Sequence, residues 1–145
     1  MKRPLLRGVL SVALLTLVAA GCSNNDTTTT PTGPTVAEIT EPDFTGTLTI
    51  NGGVTTNFNV TSTGTVTAII GVLEPNKNAT LSVGLALGQW NGTSCQIVPG
   101  LVNDNTGIGS GVAGFANAAG SLCARIYDVG QLTEPVAFVV QIKHY

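Results

Sequence analysis

The sequence predicts an all-β protein, an antiparallel β-sandwich of roughly seven or eight strands. Three observations carry that expectation. From Phe44 onward, apolar residues recur at every second position in short runs. Gly, Asn, Asp and Pro interrupt those runs at the spacing of turns. Helical periodicity appears nowhere in this region, and the abundance of Gly and Thr is what strands and tight turns require.

Taken in order, Leu48 and Ile50 share one face, with Thr47 and Thr49 on the other. Asn51-Gly52-Gly53 reads as a hairpin turn, because Asn and Gly tolerate positive φ. The chain returns through Val54–Val60, burying Phe58 and Val60. Gly64 opens a run in which Val66, Ala68 and Ile70 alternate with polar or small residues, and Glu74-Pro75-Asn76-Lys77-Asn78 is a polar turn. Leu81, Val83, Leu85 and Leu87 form the clearest strand. The opposite face of that strand is Ser82, Gly84, Ala86 and Gly88, so another layer or loop can approach it closely. Ser94–Val98 is a short strand. The Gly- and Asn-rich stretch from Asn103 to Asn117 is expected to be a long loop with a short strand or two. Leu122–Tyr127 and Val136–Ile142 close the domain, joined through Asp128-Val129-Gly130.

The first forty or so residues differ in kind. Met1–Arg7 contains three basic residues, and an apolar run of roughly 13 residues follows from Gly8 to Ala20, the layout of a secretory signal peptide. A span of the bilayer needs about 20 apolar residues. Val18-Ala19-Ala20-Gly21-Cys22 resembles the bacterial lipobox, in which small residues admit a peptidase and the cysteine thiol takes a lipid. That resemblance implies a signal peptide over 1–21, a lipidated Cys22 as the new N-terminus, and a location in the cell envelope. Ala19 stands where the lipobox usually has Leu, and an ordinary signal peptide is the alternative. Ser23, which follows the cysteine, resembles the pattern of lipoproteins sent to the outer membrane of hosts with two. Residues 22–42 then read as a Thr/Pro-rich tether. Its first stretch lacks large apolar residues and cannot offset its own ordering entropy; an O-glycosylated stalk is the other reading. The folded domain is expected over 43–145.

Charge excludes some functions. Removing Lys2, Arg3 and Arg7 from the six basic residues leaves Lys77, Arg125 and Lys143 against eight acids. Phosphate recognition needs grouped Lys and Arg, so nucleic acid is not an expected partner. Cys95 and Cys123 remain as an even pair in an exported domain and are expected to form a disulfide. The alternative, a metal site, lacks further ligands nearby.

Gly46-Thr47-Leu48, Asn57-Phe58-Asn59-Val60 and Gly64-Thr65-Val66-Thr67 resemble the opening of bacterial pre-peptidase C-terminal (PPC-like) domains. The run Ala119–Tyr127 is similar to a conserved closing strand of that family, and Val136–Ile142 to its final strand. The resemblance covers roughly Phe44 to Tyr145 and implies a jelly-roll-like sandwich, with secretion, matrix or polysaccharide roles among the relatives. Some relatives hold calcium on an acidic pair, but here the residues are Asn78-Ala79-Thr80.

No catalytic constellation is legible, and no metal or cofactor is expected. His144, the only histidine, lies beside the C-terminus and reads as structural. Ser94 and Ser110 lie outside any G-x-S-x-G elbow. Asn103-Asp104-Asn105 offers one carboxylate, thin for calcium, and Arg125 with Asp128 reads as a structural pair. Trp90, in the expected turn Gln89-Trp90-Asn91-Gly92, and Tyr127 are the candidate ligand-binding residues, as a stacking surface for sugar, with a Trp90 ring that caps the core as the alternative. The expected function is therefore a membrane-anchored, non-enzymatic interaction or structural module. A carbohydrate- or matrix-binding module is the first alternative, with a polysaccharide or an envelope protein as partner. Self-assembly through Thr/Val-rich edges is another.

Overall fold

The computed structural model describes residues 36–75 and 81–145. The expected signal peptide over 1–21, Cys22, most of the expected tether, and Asn78-Ala79-Thr80 lie outside the described residues. Among the described residues there are nine strands, all paired antiparallel: β1 (Ile39–Thr40), β2 (Phe44–Leu48), β3 (Gly53–Val60), β4 (Gly64–Glu74), β5 (Val83–Trp90), β6 (Cys95–Thr106), β7 (Gly111–Ala116), β8 (Gly120–Tyr127) and β9 (Val136–His144). In the first sheet β9 pairs with β1 and β2 on one side and with β4 on the other, and β4 then pairs with β7. The second sheet runs β3-β8-β5-β6. Setting the two-residue β1 aside, the orders 2-9-4-7 and 3-8-5-6 are those of an eight-stranded jelly roll.

The alternation seen in the sequence is what fills the space between the sheets. In β9, Val136, Phe138, Val140, Ile142 and His144 are buried, while Ala137 and Gln141 are exposed and Val139 and Lys143 half-buried. Leu48, Phe58, Val66, Ile70, Leu85 and Ile126 from the other strands meet them in one core. Phe44 packs edge-on against Phe138, with ring centroids 5.0 Å apart. Burying each such side chain contributes about 1.5–3 kcal/mol.

Four expectations change. Asn51-Gly52-Gly53 does not close a hairpin: β2 belongs to the first sheet and β3 to the second, so this turn carries the chain from one layer to the other. The turn itself forms as its residues require. Asn51 has φ 53°, and Gly52 N–H donates to the Thr49 carbonyl at 2.9 Å. Turn chemistry fixes local φ but not which strand becomes the neighbour. Ile50 accordingly leaves the strand and is 47% exposed, parted from Leu48.

The expected loop over 103–117 is mostly strand, and the short strand at Ser94–Val98 extends to Thr106 as β6. Gly and Asn lower strand propensity, but pairing overrides it: β6 pairs with β5 and β7 with β4. The register slips between Ala86 and Gly88, where β6 carries extra residues that include Pro99 and Gly100, the latter at φ 86°. Trp90, expected in a turn, is the last residue of β5 and pairs with Cys95. Finally, Ile39–Thr40, which the sequence reading assigns to the tether, pairs with Lys143 and His144.

Candidate functional site

Three places deserve comparison, because chemistry-bearing side chains gather at each.

The first is the junction of β1 and β9. His144 is 1% exposed; its Nε2 lies 2.8 Å from Glu41 Oε1, and its Nδ1 3.2 Å from the Tyr145 carbonyl oxygen. The ring stacks on Phe58 of the other sheet at 5.7 Å. This histidine ties the entering chain to the last strand. Lys143 and Glu38 add an ion pair at 3.2 Å, exposed enough to contribute little.

The second is the outer side of the second sheet. Val83, Leu85 and Leu87 face the core, so Gly84, Ala86 and Gly88 face away, and all three are nonetheless buried. A Cβ at Gly84 would lie 2.2 Å from the Tyr127 ring. The Tyr127 hydroxyl donates to Asp104. Burial, then the hydrogen bond and charge of Asp104, push the phenol up to about 12, with Arg125 pulling the other way. Tyr127 therefore covers a strand with its ring and has its hydroxyl engaged. Asp104 and its neighbours lie at the end of β6, where Asn103 Nδ2 donates to the Gly111 carbonyl and Asn105 N–H to Asn103 Oδ1. Among the described residues no three His, Cys, Asp or Glu side chains converge on a common point.

The expected pairing of Arg125 with Asp128 gives way to another arrangement. Asp128 Oδ2 accepts from Asn51 N–H, and Oδ1 accepts from the N–H groups of Gly130, Gln131 and Leu132. Partial burial would raise its pKa, but those backbone donors outweigh it and hold the carboxyl below its ordinary value. One carboxylate thus fastens the loop after β8 to the turn before β3. Asp128 sits two residues before Gly130, whose φ of 86° curls the loop around it; that local geometry outcompetes a side-chain partner on the strand.

The third place is around Trp90. The turn after it is stiff: Asn91 Oδ1 accepts from Thr93 N–H at 2.9 Å and from Ser94 N–H at 2.8 Å, and Gly92 has φ 95°. Ser94 Oγ accepts from Gln96 Nε2, and Ser110 Oγ donates to the Gly107 carbonyl, so both serines serve turns. Cys95 follows and is bonded to Cys123, as the sequence predicts. These cysteines belong to β6 and β8, which flank β5 on opposite sides. In a flat sheet such strands lie roughly 9–10 Å apart, yet the two Cα atoms are 5.7 Å apart. The strand β6 must therefore curl over β5, and Gly88 permits it: a Cβ there would lie 2.4 Å from the Gln96 carbonyl oxygen.

Beside this folded edge lies a cleft of about 440 Å³, lined among others by Gln89, Trp90, Leu101, Phe115, Asn117 and Ser121. None of its lining residues is charged. Leu101 reaches from β6 to β7, filling the space where Gly114 has no side chain, and lines the cleft. Trp90 and Tyr127 are not brought together: Trp90 ends β5, whereas Tyr127 pairs with Gly84, six residues and roughly 20 Å away along the strand. The aromatic residue that shares the cleft with Trp90 is Phe115, 62% exposed. It escapes sequence reading because its segment looks like loop. The one available signal is a lone aromatic residue in a run of Gly, Ala and Asn.

No protein-family model matches the chain, and no curated protein is similar to it.

Proposed function

We propose that the chain is an exported lipoprotein, held to a membrane by acyl chains on Cys22, whose sandwich is a non-catalytic interaction or structural module of the cell envelope. The observation that carries this reading is the Cys95–Cys123 cross-link, since structural disulfides persist where the surroundings are oxidising. The layout of residues 1–22 supplies the route out of the cytoplasm and the anchor. Each acyl methylene buried in the bilayer contributes about 0.8 kcal/mol, so several chains on one cysteine hold firmly. The jelly-roll strand order fits the resemblance to PPC-like domains. The non-enzymatic reading rests on the side chains: His144 is committed to Glu41, and the cleft at Trp90 is lined by no acid or base.

Intact mass of protein extracted from membranes tests the proposal. The expected species begins at an acylated Cys22 and gains two hydrogens on reduction. A chain that retains residues 1–21, or one without acyl mass, sinks the anchor. A mass unchanged by reduction sinks the oxidising compartment.

A second reading has an observation of its own. Trp90, half-buried beside the uncharged cleft, supports a module that binds a polysaccharide of the matrix or envelope.

A further inference from the structure

We infer that the end of the sandwich where the chain enters docks on the surface of the lipid bilayer, with Trp90, Phe115 and Tyr145 seated among the headgroups. The inference rests on the lipid-anchored reading above and adds a second contact, made by the folded domain itself.

The topology places this end. Ile39 of β1 pairs with His144 of β9, so Val36 leads off the end where β9 finishes. Strands β3, β5 and β7 finish there too. Three turns complete it: Thr61-Ser62-Thr63, Asn91-Gly92-Thr93-Ser94 and Asn117-Ala118-Ala119. A chain as long as Cys22–Val36 reaches at most about 50 Å even when fully extended. An anchor on Cys22 therefore holds the bilayer near this end and raises its effective concentration there.

The aromatic residues are sorted by end. Of the seven, Phe44, Phe58 and Phe138 fill the core, and Tyr127 covers Gly84 toward the opposite end. The other three are all at the entry end. Alternation sends Trp90, the last residue of β5, to the outer side of the second sheet. It sends Phe115, next to last in β7, to the outer side of the first. Tyr145 follows β9 and packs against Gly64. Phe115 is 62% exposed, Trp90 and Tyr145 are half-buried, and Val36 and Ile39 add exposed apolar surface at the same end. Rings spread around one end in this way suit the membrane–water interface, where Trp and Tyr are enriched.

Charge is sorted the same way. The three turns contain no charged residue. Around β1, Glu38 pairs with Lys143 at 3.2 Å and Glu41 with His144 at 2.8 Å, and Asp43 flanks them. Glu74, Asp104, Asp128 and Glu134 lie toward the opposite end. Headgroup phosphates repel that acidic end and leave the aromatic end unopposed. With no basic cluster at the docking end, the contact is apolar and fits a zwitterionic bilayer.

Trp90 is the only tryptophan, so its fluorescence reports on this end alone. The intact acylated protein is reconstituted into phosphatidylcholine vesicles whose lipids are brominated at shallow or deep acyl positions, with acrylamide as the aqueous quencher. Shallow bromines are expected to quench Trp90 more than deep ones, and added salt to leave the quenching unchanged. Phe115→Asp is expected to lower the docked-to-undocked ratio about tenfold. Ala118→Asp, in an exposed turn, should act in the same direction without touching a strand. Ile108→Asp, 51% exposed at the opposite end, should change nothing. Protein that stays on the vesicles with Trp90 open to acrylamide and untouched by bromine overturns the docking and leaves the anchor standing. Protection from acrylamide gained without lipid quenching also overturns it, assigning this end to a second copy. Quenching that needs anionic lipid, or vanishes in salt, overturns its apolar character. A chain without acyl mass overturns the anchored reading alone; quenching of that chain by added vesicles still decides the docking.

Discussion

The outward faces of the two sheets are built on opposite plans. On the second sheet the outer side of β5 is Gly84, Ala86 and Gly88, and the protein covers it with its own parts: the Tyr127 ring, the curled edge of β6, and the disulfide. On the first sheet the outer side carries Thr65, Thr67, Ile69 and Phe115, and nothing among the described residues covers Ile69 or Phe115, which remain exposed. A stripe of missing side chains invites backbone to approach, whereas a stripe of Thr and Ile already makes an adequate pleated surface. The comparison teaches where rigidity is concentrated. The covered face holds the disulfide and the only tryptophan, and its folded edge borders the cleft.

The comparison can be broken at several points, of decreasing effect. Replacing Cys95 and Cys123 together by Ser frees the edge of β6. The bond closes a loop between positions 28 residues apart, and the chain-entropy argument assigns it about 3.5 kcal/mol. Denaturant unfolding with and without reductant measures the loss, and Trp90 fluorescence should change at the same time.

Gly88→Ala attacks the same edge from beneath. Its Cβ meets backbone, not a movable side-chain end, so β6 must lift. The expected cost is about 1–3 kcal/mol, read as a lowered Tm, with the disulfide still forming by mass.

Asp128→Ala removes the acceptor of four backbone N–H groups. Loss of a comparable cap costs about 1–2 kcal/mol. Because the folded carboxyl is held below its ordinary value, its contribution is present above about pH 4 and is lost as pH falls through the lowered folded value. Wild-type stability should therefore decline on acidification below pH 4 more steeply than that of Asp128→Ala. Parallel acid curves for the two proteins would remove Asp128 from the explanation.

Tyr127→Phe gives up the hydrogen bond to Asp104 at a cost of about 1 kcal/mol. The folded phenol titrates at about 12, above its ordinary 10.0. Its contribution is complete below about pH 10 and disappears as pH rises toward 12; ultraviolet titration of wild type against the variant isolates it. The smallest effect is expected on the uncovered face. Ile69→Thr, at a position 39% exposed, should change stability by less than about 0.5 kcal/mol. A larger loss would mean that something covers this sheet after all.

Much of the fold was legible in the sequence because the responsible signals are local. Period-two alternation marks β4, β5, β8 and β9, since a strand between two layers must send every second side chain inward. The Gly and Ala positions of β5 announced that something would come close, though not that it would be Tyr127 and the carbonyl of Gln96. The segment from Asn103 to Asn117 misled because its composition matches loops, and strand pairing with β4 and β5 supplied what its propensity lacked.

The candidate site was half legible. Trp90 could be singled out as a lone, amphipathic ring beside a turn. Phe115, at the cleft rim, could not, because the register that sets it opposite Thr65 and the curl of β6 over Gly88 depend on contacts far apart in the chain. The same holds for Asn51-Gly52: their φ preferences require a turn, but only the closed sandwich decides that it crosses between layers.

By itself, then, the sequence determined the all-β class, the alternating strands and the pairing of Cys95 with Cys123, each set by steric and solvation preferences of residues and near neighbours. The tertiary structure alone decided the jelly-roll order, the inward fold of β6, and the exposure of Phe115 on the outer side of the first sheet. Those depend on which strands find one another across the core, and hydrophobic burial drives that choice without regard to sequence distance.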